Sequence, residues 1–127
     1  MNNYKSFFIG LFIAIVVYAC NSNQNGLAKT EIQNKEHSFG KIGLNDSIVH
    51  TFYLKNVSNI PLTITKVGTS CGCTTTNYTQ GEIGENETAS IEVLFKPEQT
   101  GIIDKSIVVE TNTDPPFNVF YLKGEVK

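Results

Sequence analysis

The chain contains no arginine and no tryptophan, and it has only one methionine, two histidines and three cysteines. All ten basic residues are lysines, and the net charge is −2. Lysine cannot make the planar, bidentate contacts with phosphates and base edges that arginine makes, so we expect no nucleic-acid binding. The sequence also lacks a glycine-rich phosphate loop, a nucleophile next to a recognisable base and clustered carboxylates. We therefore predict no catalytic residue, no cofactor and no small-molecule substrate.

The chain also lacks a hydrophobic run long enough to span a bilayer comfortably. An apolar run of thirteen residues extends from Phe7 to Ala19 and ends at Cys20, which is typical of a secretory signal. Residues 17–20, Val-Tyr-Ala-Cys, resemble a bacterial lipobox, in which the cysteine is lipidated and becomes the first residue of the mature protein. We predict a signal peptide over residues 1–19 and a lipid anchor at Cys20, which would hold the protein to a membrane. A simple signal peptide and an uncleaved anchor are the alternatives.

After the signal, the chain divides into a polar part and a part with strand-like periodicity. Residues 20–35 are polar and aperiodic, which predicts a flexible tether with a reach of roughly 20 Å. From residue 36 onwards, apolar and polar residues alternate in short segments, as in strands with one buried face. Seven segments are separated by turn residues: 36–42, 47–55, 61–67, 74–78, 88–95, 102–111 and 117–126. They predict one all-β domain over residues 36–127, an immunoglobulin-like antiparallel β-sandwich.

Two of the three cysteines, Cys71 and Cys73, are separated only by Gly72. In an extended strand both side chains would point to one face, with Cα atoms roughly 6.5 to 7 Å apart. This distance is near the upper limit of about 6.8 Å for a disulfide, and a bend at Gly72 with a positive φ would shorten it. The pair is compatible with a local disulfide, a reactive dithiol, half of a metal site or two small buried residues. Because an exported protein meets an oxidising compartment, we favour the disulfide.

Four side chains outside the predicted lipid anchor are strong soft or borderline metal ligands: His37, His50, Cys71 and Cys73. Such a set can form a tetrahedral zinc site or a thiolate copper site. The spacing matches no familiar zinc finger, however, and His50 shares an alternating face with Phe52. We therefore expect His50 to lie in the core or at the rim of a sheet, and we expect no bound metal.

The tripeptide Asp46-Ser47-Ile48 resembles the acceptor for O-linked glycans in Bacteroidetes envelope proteins. It lies where a predicted turn enters a strand, a position that is accessible to modification. Ser47 is therefore a glycosylation candidate. The alternative is a plain turn in which the aspartate side chain bonds to the nearby backbone.

Several short motifs resemble those of DUF1573, an uncharacterised bacterial family that is abundant among Bacteroidetes lipoproteins. These motifs are distributed from residue 37 almost to the end of the chain: residues 37–42, 50–52, 54–56, 61–64, 70–74, 91–95, 101, 111–112 and 122–126. The resemblance implies a seven-stranded sandwich, similar to the immunoglobulin-like domains of abnormal-spindle and Hydin proteins, with no known catalytic activity. In place of an expected Pro-Gly this chain has Glu85-Asn86, and we expect Asn86 to take the left-handed conformation at that turn.

These features together predict a noncatalytic cell-envelope lipoprotein. We expect it to bind protein, as an accessory subunit of a larger envelope complex, because the edge strands of an open sandwich can pair with another chain. The alternative is a thiol-disulfide or metal-binding protein that uses Cys71 and Cys73. No acidic cluster follows Cys20, which favours a protein anchored in the outer membrane and facing the periplasm.

Overall fold

The computed structural model describes residues 26–127, so the predicted signal peptide, residues 1–19, and Cys20 lie outside the described residues. This part of the chain forms nine strands: β1 (Thr30–Glu31), β2 (Glu36–Ile42), β3 (Ile48–Asn56), β4 (Leu62–Thr69), β5 (Thr74–Tyr78), β6 (Glu82–Ile83), β7 (Thr88–Phe95), β8 (Gly101–Thr111) and β9 (Phe117–Val126). No helix of membrane-spanning length and hydrophobicity occurs within residues 26–127.

The strands form two facing sheets, a four-stranded sheet in the order β1-β3-β7-β5 and a five-stranded sheet in the order β2-β9-β8-β4-β6. Alternating residues of each strand point into the space between the sheets, as the period of two requires. On β7, for example, Ala89, Ile91, Val93 and Phe95 are buried, whereas the residues between them are not. Phe52 of β3 meets Phe120 of β9 across the core, with ring centroids 4.9 Å apart. The predicted immunoglobulin-like β-sandwich is confirmed.

The structure corrects the sequence prediction in two respects. The predicted tether, residues 20–35, is too long, because Ala28 is buried and bridges to Thr113, and β1 pairs with β3. The sandwich therefore begins before residue 36. The sheets are also not entirely antiparallel, since β2 pairs with β9 in parallel. Both differences arise from long-range pairing of the segment that contains β1 and β2, which a local periodicity cannot report.

A buried asparagine closes the connection that follows β3. Asn56 is completely buried, and its side-chain amide donates to the carbonyl oxygens of Ile60 and Ile83, each at 2.9 Å. Its side-chain oxygen accepts from the backbone N–H and the hydroxyl of Ser58. Every hydrogen-bonding capacity of this amide is therefore used within the fold. Asn86, which donates its N–H to the Asn56 carbonyl, has a φ of 62°, so the predicted left-handed turn is confirmed.

Candidate functional site

The segment that contains β1 and β2 crosses from one sheet to the other. At its start, the Lys29 carbonyl accepts from the N–H of Val57, next to the four-stranded sheet, and Glu31 is paired with Lys55 of β3. A few residues later, the Lys35 carbonyl accepts from the N–H of Tyr121, in the five-stranded sheet. As a result, β1 covers only the last two residues of β3, and residues 48–54 form a sheet edge with no paired strand among residues 26–127.

The hydrogen bonds at the end of β3 establish which backbone groups face this edge. The N–H of Asn56 donates to the Glu87 carbonyl, on the side of β7, whereas the N–H of Val57 donates towards β1. Successive residues of a strand direct their N–H and C=O groups to opposite edges. The groups of Val49, Thr51 and Tyr53 are therefore directed to the open edge. We call this stretch, residues 49–53, the open edge of β3.

A groove of about 450 Å³ runs along the open edge, where the crossing segment leaves β3. Gln33 and Asn34 of the crossing segment line one side of the groove, and residues 50–53 of β3 line the other. At the groove, His37 and His50 are stacked with ring centroids 3.7 Å apart and planes within 7° of parallel. The two imidazoles thus connect the edges of the two sheets and form an aromatic surface beside the unpaired backbone.

The position of His50 disfavours protonation of its imidazole. Partial burial lowers the pKa of His50 below its usual 6.5, and the neighbouring His37 lowers this pKa further. Burial disfavours a charged imidazole, and a second imidazolium in stacking contact would repel it. The ring of Phe52 meets His50 edge-on, at 4.6 Å between centroids. Protonation of His50 is therefore unfavourable in the folded protein.

The open edge itself contains no register shift and no charged side chain, and the charges at the groove, Glu31, Glu36 and Lys55, lie outside residues 49–53. The stretch 49–53 contains no proline, glycine or acidic residue and no lysine, and Val49 and Tyr53 are 61% and 58% exposed. The edge of β2, in contrast, contains a register shift between Ser38 and Lys41. Bulges and charges of this kind prevent unwanted strand pairing, so their absence from β3 is informative.

Ion pairs also cross from β2 to β9 at the protected edge. Lys123 contacts Glu36 at 2.9 Å, and Lys41 contacts Glu125 at 3.6 Å. The hydrogen bond to Glu36, together with the charge of this carboxylate, raises the pKa of Lys123 above its usual value. Exposed pairs of this kind add little stability, but they place charges along β2 and make this edge a poor template for another strand.

Cys71 and Cys73 form a close pair in the connection between β4 and β5. Their Cα atoms are 5.4 Å apart, and their sulfur atoms lie within bonding distance. The predicted positive φ at Gly72 is not found; Gly40, Gly81 and Gly101 are the glycines with positive φ within residues 26–127. The approach is instead produced by a turn, in which the N–H of Thr74 donates to the Cys71 carbonyl at 3.4 Å.

The four candidate metal ligands do not converge. The structure brings His37 to His50 and Cys71 to Cys73, but residues 26–127 contain no group of three or more histidine, cysteine, aspartate or glutamate side chains that could hold a metal ion. Sequence reasoning missed the histidine stack and the groove. Both histidines occupy inward positions of their strands, but only the contact between the two sheet edges makes them neighbours.

Ser47 lies on the surface, directly before β3. The carboxylate of Asp46 accepts a hydrogen bond from the N–H of Gly43 at 2.7 Å and so closes the preceding turn. The local turn that we considered as the alternative to a glycosylation acceptor is therefore present. Its presence is compatible with an accessible hydroxyl at Ser47, and glycosylation there stays a prediction.

The model of the family "Protein of unknown function (DUF1573)" matches residues 30–126. The chain belongs to this family. The matched range begins at β1, which agrees with a domain that starts before residue 36. No curated protein matches the sequence.

Solved structures share the fold of this DUF1573 domain at low sequence identity. A protein of unknown function from Porphyromonas gingivalis W83 is 18% identical with a TM-score of 0.67, and the match covers 77% of this chain but 46% of that one. The ASH/PapD-like domain 7 of human CEP192 is 14% identical with a TM-score of 0.66, covering 80% and 87%. The secreted serine protease VesC from Vibrio cholerae is 9% identical, covering 81% and 24%, with a TM-score of 0.57. At these identities the likeness is one of fold.

Proposed function

We propose that this DUF1573 protein is a noncatalytic cell-envelope lipoprotein that binds another polypeptide through the open edge of β3. The observation that carries the proposal is the set of N–H and C=O groups on Val49, Thr51 and Tyr53 that have no strand partner within the described part of the chain, residues 26–127. A ladder of backbone donors and acceptors with this spacing is complemented by an extended chain, which adds as a further strand. The groove beside the edge leaves room for the inward-pointing side chains of such a strand.

The membrane attachment that we propose restricts where this binding takes place. If lipid is attached to Cys20, seven residues separate it from Ala28, the first buried residue within residues 26–127. Seven fully extended residues span at most about 25 Å. The domain would then remain close to the membrane surface, on the periplasmic side of the outer membrane. A binding partner must therefore be another membrane-associated protein or a protein that approaches this surface.

Site-specific crosslinking in intact cells tests the proposal. Tyr53 would be replaced by p-benzoylphenylalanine, a photoreactive residue of similar shape that projects beside the open edge. Phe117 is the matched control, because it is a similarly exposed aromatic residue but belongs to β9, in the other sheet. We expect a crosslinked product that is larger than the monomer from position 53 and none from position 117. Equal products from both positions, or none from position 53, would count against binding at this edge.

A further inference from the structure

We propose that the strand that occupies the open edge of β3 belongs to a second copy of this chain. Two β3 strands would pair antiparallel around a two-fold axis at Thr51, which joins the two four-stranded sheets into one. Because this dimer uses the edge assigned above, it rests on the proposed function and names the partner. A closed two-fold contact of this kind pairs one surface with itself, so it requires an edge that is self-complementary.

The backbone of the open edge has this self-complementarity. With Thr51 opposite Thr51 of the second copy, Val49 lies opposite the second copy's Tyr53. All three of these residues direct their N–H and C=O groups to the open edge. Each facing pair is therefore of the hydrogen-bonded type, and the two copies would exchange about six backbone hydrogen bonds. If the residue on the two-fold axis directed its N–H and C=O groups towards β7 instead, the two copies could not exchange hydrogen bonds at that residue.

The side chains suit the same register. Val49 and Tyr53 are both largely exposed on the outer face of the sheet, and the two-fold axis sets the aliphatic side chain of one copy against the aromatic ring of the other. Aromatic residues facing β-branched residues and threonine facing threonine are favourable cross-strand pairs. Residues 49–53 contain no charged side chain, so no like charges oppose each other along the pairing.

The neighbouring elements limit the register to this one. Towards the end of β3, Lys55 and Asn56 are already paired with β1, so a second strand cannot advance further in that direction. Towards its start, β3 begins at Ile48 and is preceded by the turn that Asp46 closes. The free part of the edge is thus centred on Thr51. A two-fold axis at this residue uses all the unpaired groups, whereas a shifted axis would leave some of them without partners.

The position of the proposed anchor also favours a second copy over other partners. Copies with the same short connection between Cys20 and Ala28 would stand at the same height above the membrane, with their open edges at one level. Confinement to one membrane surface raises the effective concentration of such copies for each other. A dimer with a small contact, which would be weak in free solution, can then form on the membrane.

Cysteine crosslinking of the full-length protein in native membranes tests the dimer. Thr51→Cys places a thiol on the proposed axis, and Asn77→Cys is the matched control, because both residues are paired with Glu92 of β7, from opposite sides. After mild oxidation we expect a product of twice the monomer mass from Thr51→Cys, linked between the two residues at position 51, and none from Asn77→Cys. A product of another mass would overturn the dimer while supporting a different protein at this edge. The absence of any product would overturn the dimer as well.

A second substitution separates backbone pairing from mere proximity. In the Thr51→Cys protein, Tyr53→Pro removes an N–H that faces the open edge and is not used within the domain, so folding should be retained. Tyr53→Ala removes the same side chain but keeps the N–H. Because the dimer is symmetric, Tyr53→Pro removes one hydrogen bond at each copy, two in total. We therefore expect Tyr53→Pro to reduce the crosslinking yield at least about tenfold relative to Tyr53→Ala. Equal yields from the two proteins, at equal melting temperatures, would overturn pairing through the backbone.

Discussion

Asn56 shows how one side chain can organise a connection between strands. The residue lies at the end of β3, beyond the open edge. Its buried amide holds the carbonyl groups of Ile60 and Ile83 and the backbone of Ser58. The loop after β3 and the short strand β6 are thereby fixed to the core. We therefore assign this asparagine to stability.

Replacement of Asn56 by alanine should destabilise the domain strongly. The substitution leaves the Ile83 carbonyl and the backbone N–H of Ser58 without their partner, whereas the Ile60 carbonyl keeps the Ser58 hydroxyl as a donor. Each buried group that loses its partner costs about 1 to 3 kcal/mol, so we expect a loss of about 3 kcal/mol in unfolding free energy. Thermal or urea unfolding of the purified protein measures this loss. Asn59→Ala, an exposed position in the same loop, should change the free energy by less than about 0.5 kcal/mol. Similar losses from both variants would show that the Asn56 network is not the stabilising element.

The close pair Cys71 and Cys73 leads to a second prediction at the scale of residues. The Cα separation of 5.4 Å lies within the range of disulfides, and we propose that the exported protein carries this bond. In protein prepared without reductant, alkylation followed by mass spectrometry should find both thiols blocked. Detection of two alkylated cysteines would refute the disulfide.

The same bond should contribute little to stability. It closes a loop that contains only Gly72 between its ends, and the entropic gain is well below the roughly 3 kcal/mol expected for a loop of fifteen residues. The double substitution Cys71→Ser and Cys73→Ser should therefore lower the melting temperature by only a few degrees, which calorimetry can measure. A large decrease would show that the turn between β4 and β5 depends on the bond.

At the scale of elements, the contact between β2 and β3 makes stability depend on pH. The folded protein lowers the pKa of His50, so the unfolded chain binds a proton at this residue more readily. The stability that neutral His50 supports is fully present above the pKa of His50 in the unfolded chain, about 6.5. This stability is lost as the pH falls through the lower pKa that His50 has in the folded protein. We therefore expect the unfolding free energy to decrease between pH 7 and pH 5.

His50→Gln is the variant that isolates this effect, because it keeps a polar side chain and cannot titrate. Urea unfolding across the same pH range should show a smaller decrease in this variant than in the original protein. His37→Gln removes the neighbouring imidazole and should also reduce the dependence, since burial alone then lowers the pKa of His50. If all three proteins lose stability equally on acidification, the histidine stack is not the source.

The strands also show which parts of the fold the sequence predicts and which it does not. The predicted segments 36–42, 74–78, 88–95 and 117–126 coincide with strands of the structure. Segment 88–95 shows why, since apolar and polar residues alternate along it between turn signals. The left-handed Asn86 followed from the same local reasoning. The short strands β1 and β6 were missed because two residues are too few to show a period. The parallel pairing of β2 with β9, the histidine stack and the groove depend on contacts between distant segments, which a local pattern does not encode.

At the scale of the whole molecule, the edges formed by β2 and β3 differ in their protection against pairing. The edge of β2 carries a register shift and charged pairs, whereas the crossing of the chain from β1 to β2 leaves part of β3 uncovered and without such protection. A protein usually covers or blocks an edge that is not used. The arrangement therefore favours recognition of another chain by strand addition, and this is the central claim of the proposed function.

Amide hydrogen exchange tests this claim most directly. In the full-length protein in detergent at low concentration, the N–H groups of Val49, Thr51 and Tyr53 should exchange with solvent rapidly. Those of His50, Phe52 and Leu54, which face β7, should exchange at least about a hundredfold more slowly, because they are released only by larger openings of the sheet. When a strand adds to the edge, the first three should become protected selectively. Exchange rates that are equal at all six positions in the dilute protein would contradict an open edge on β3.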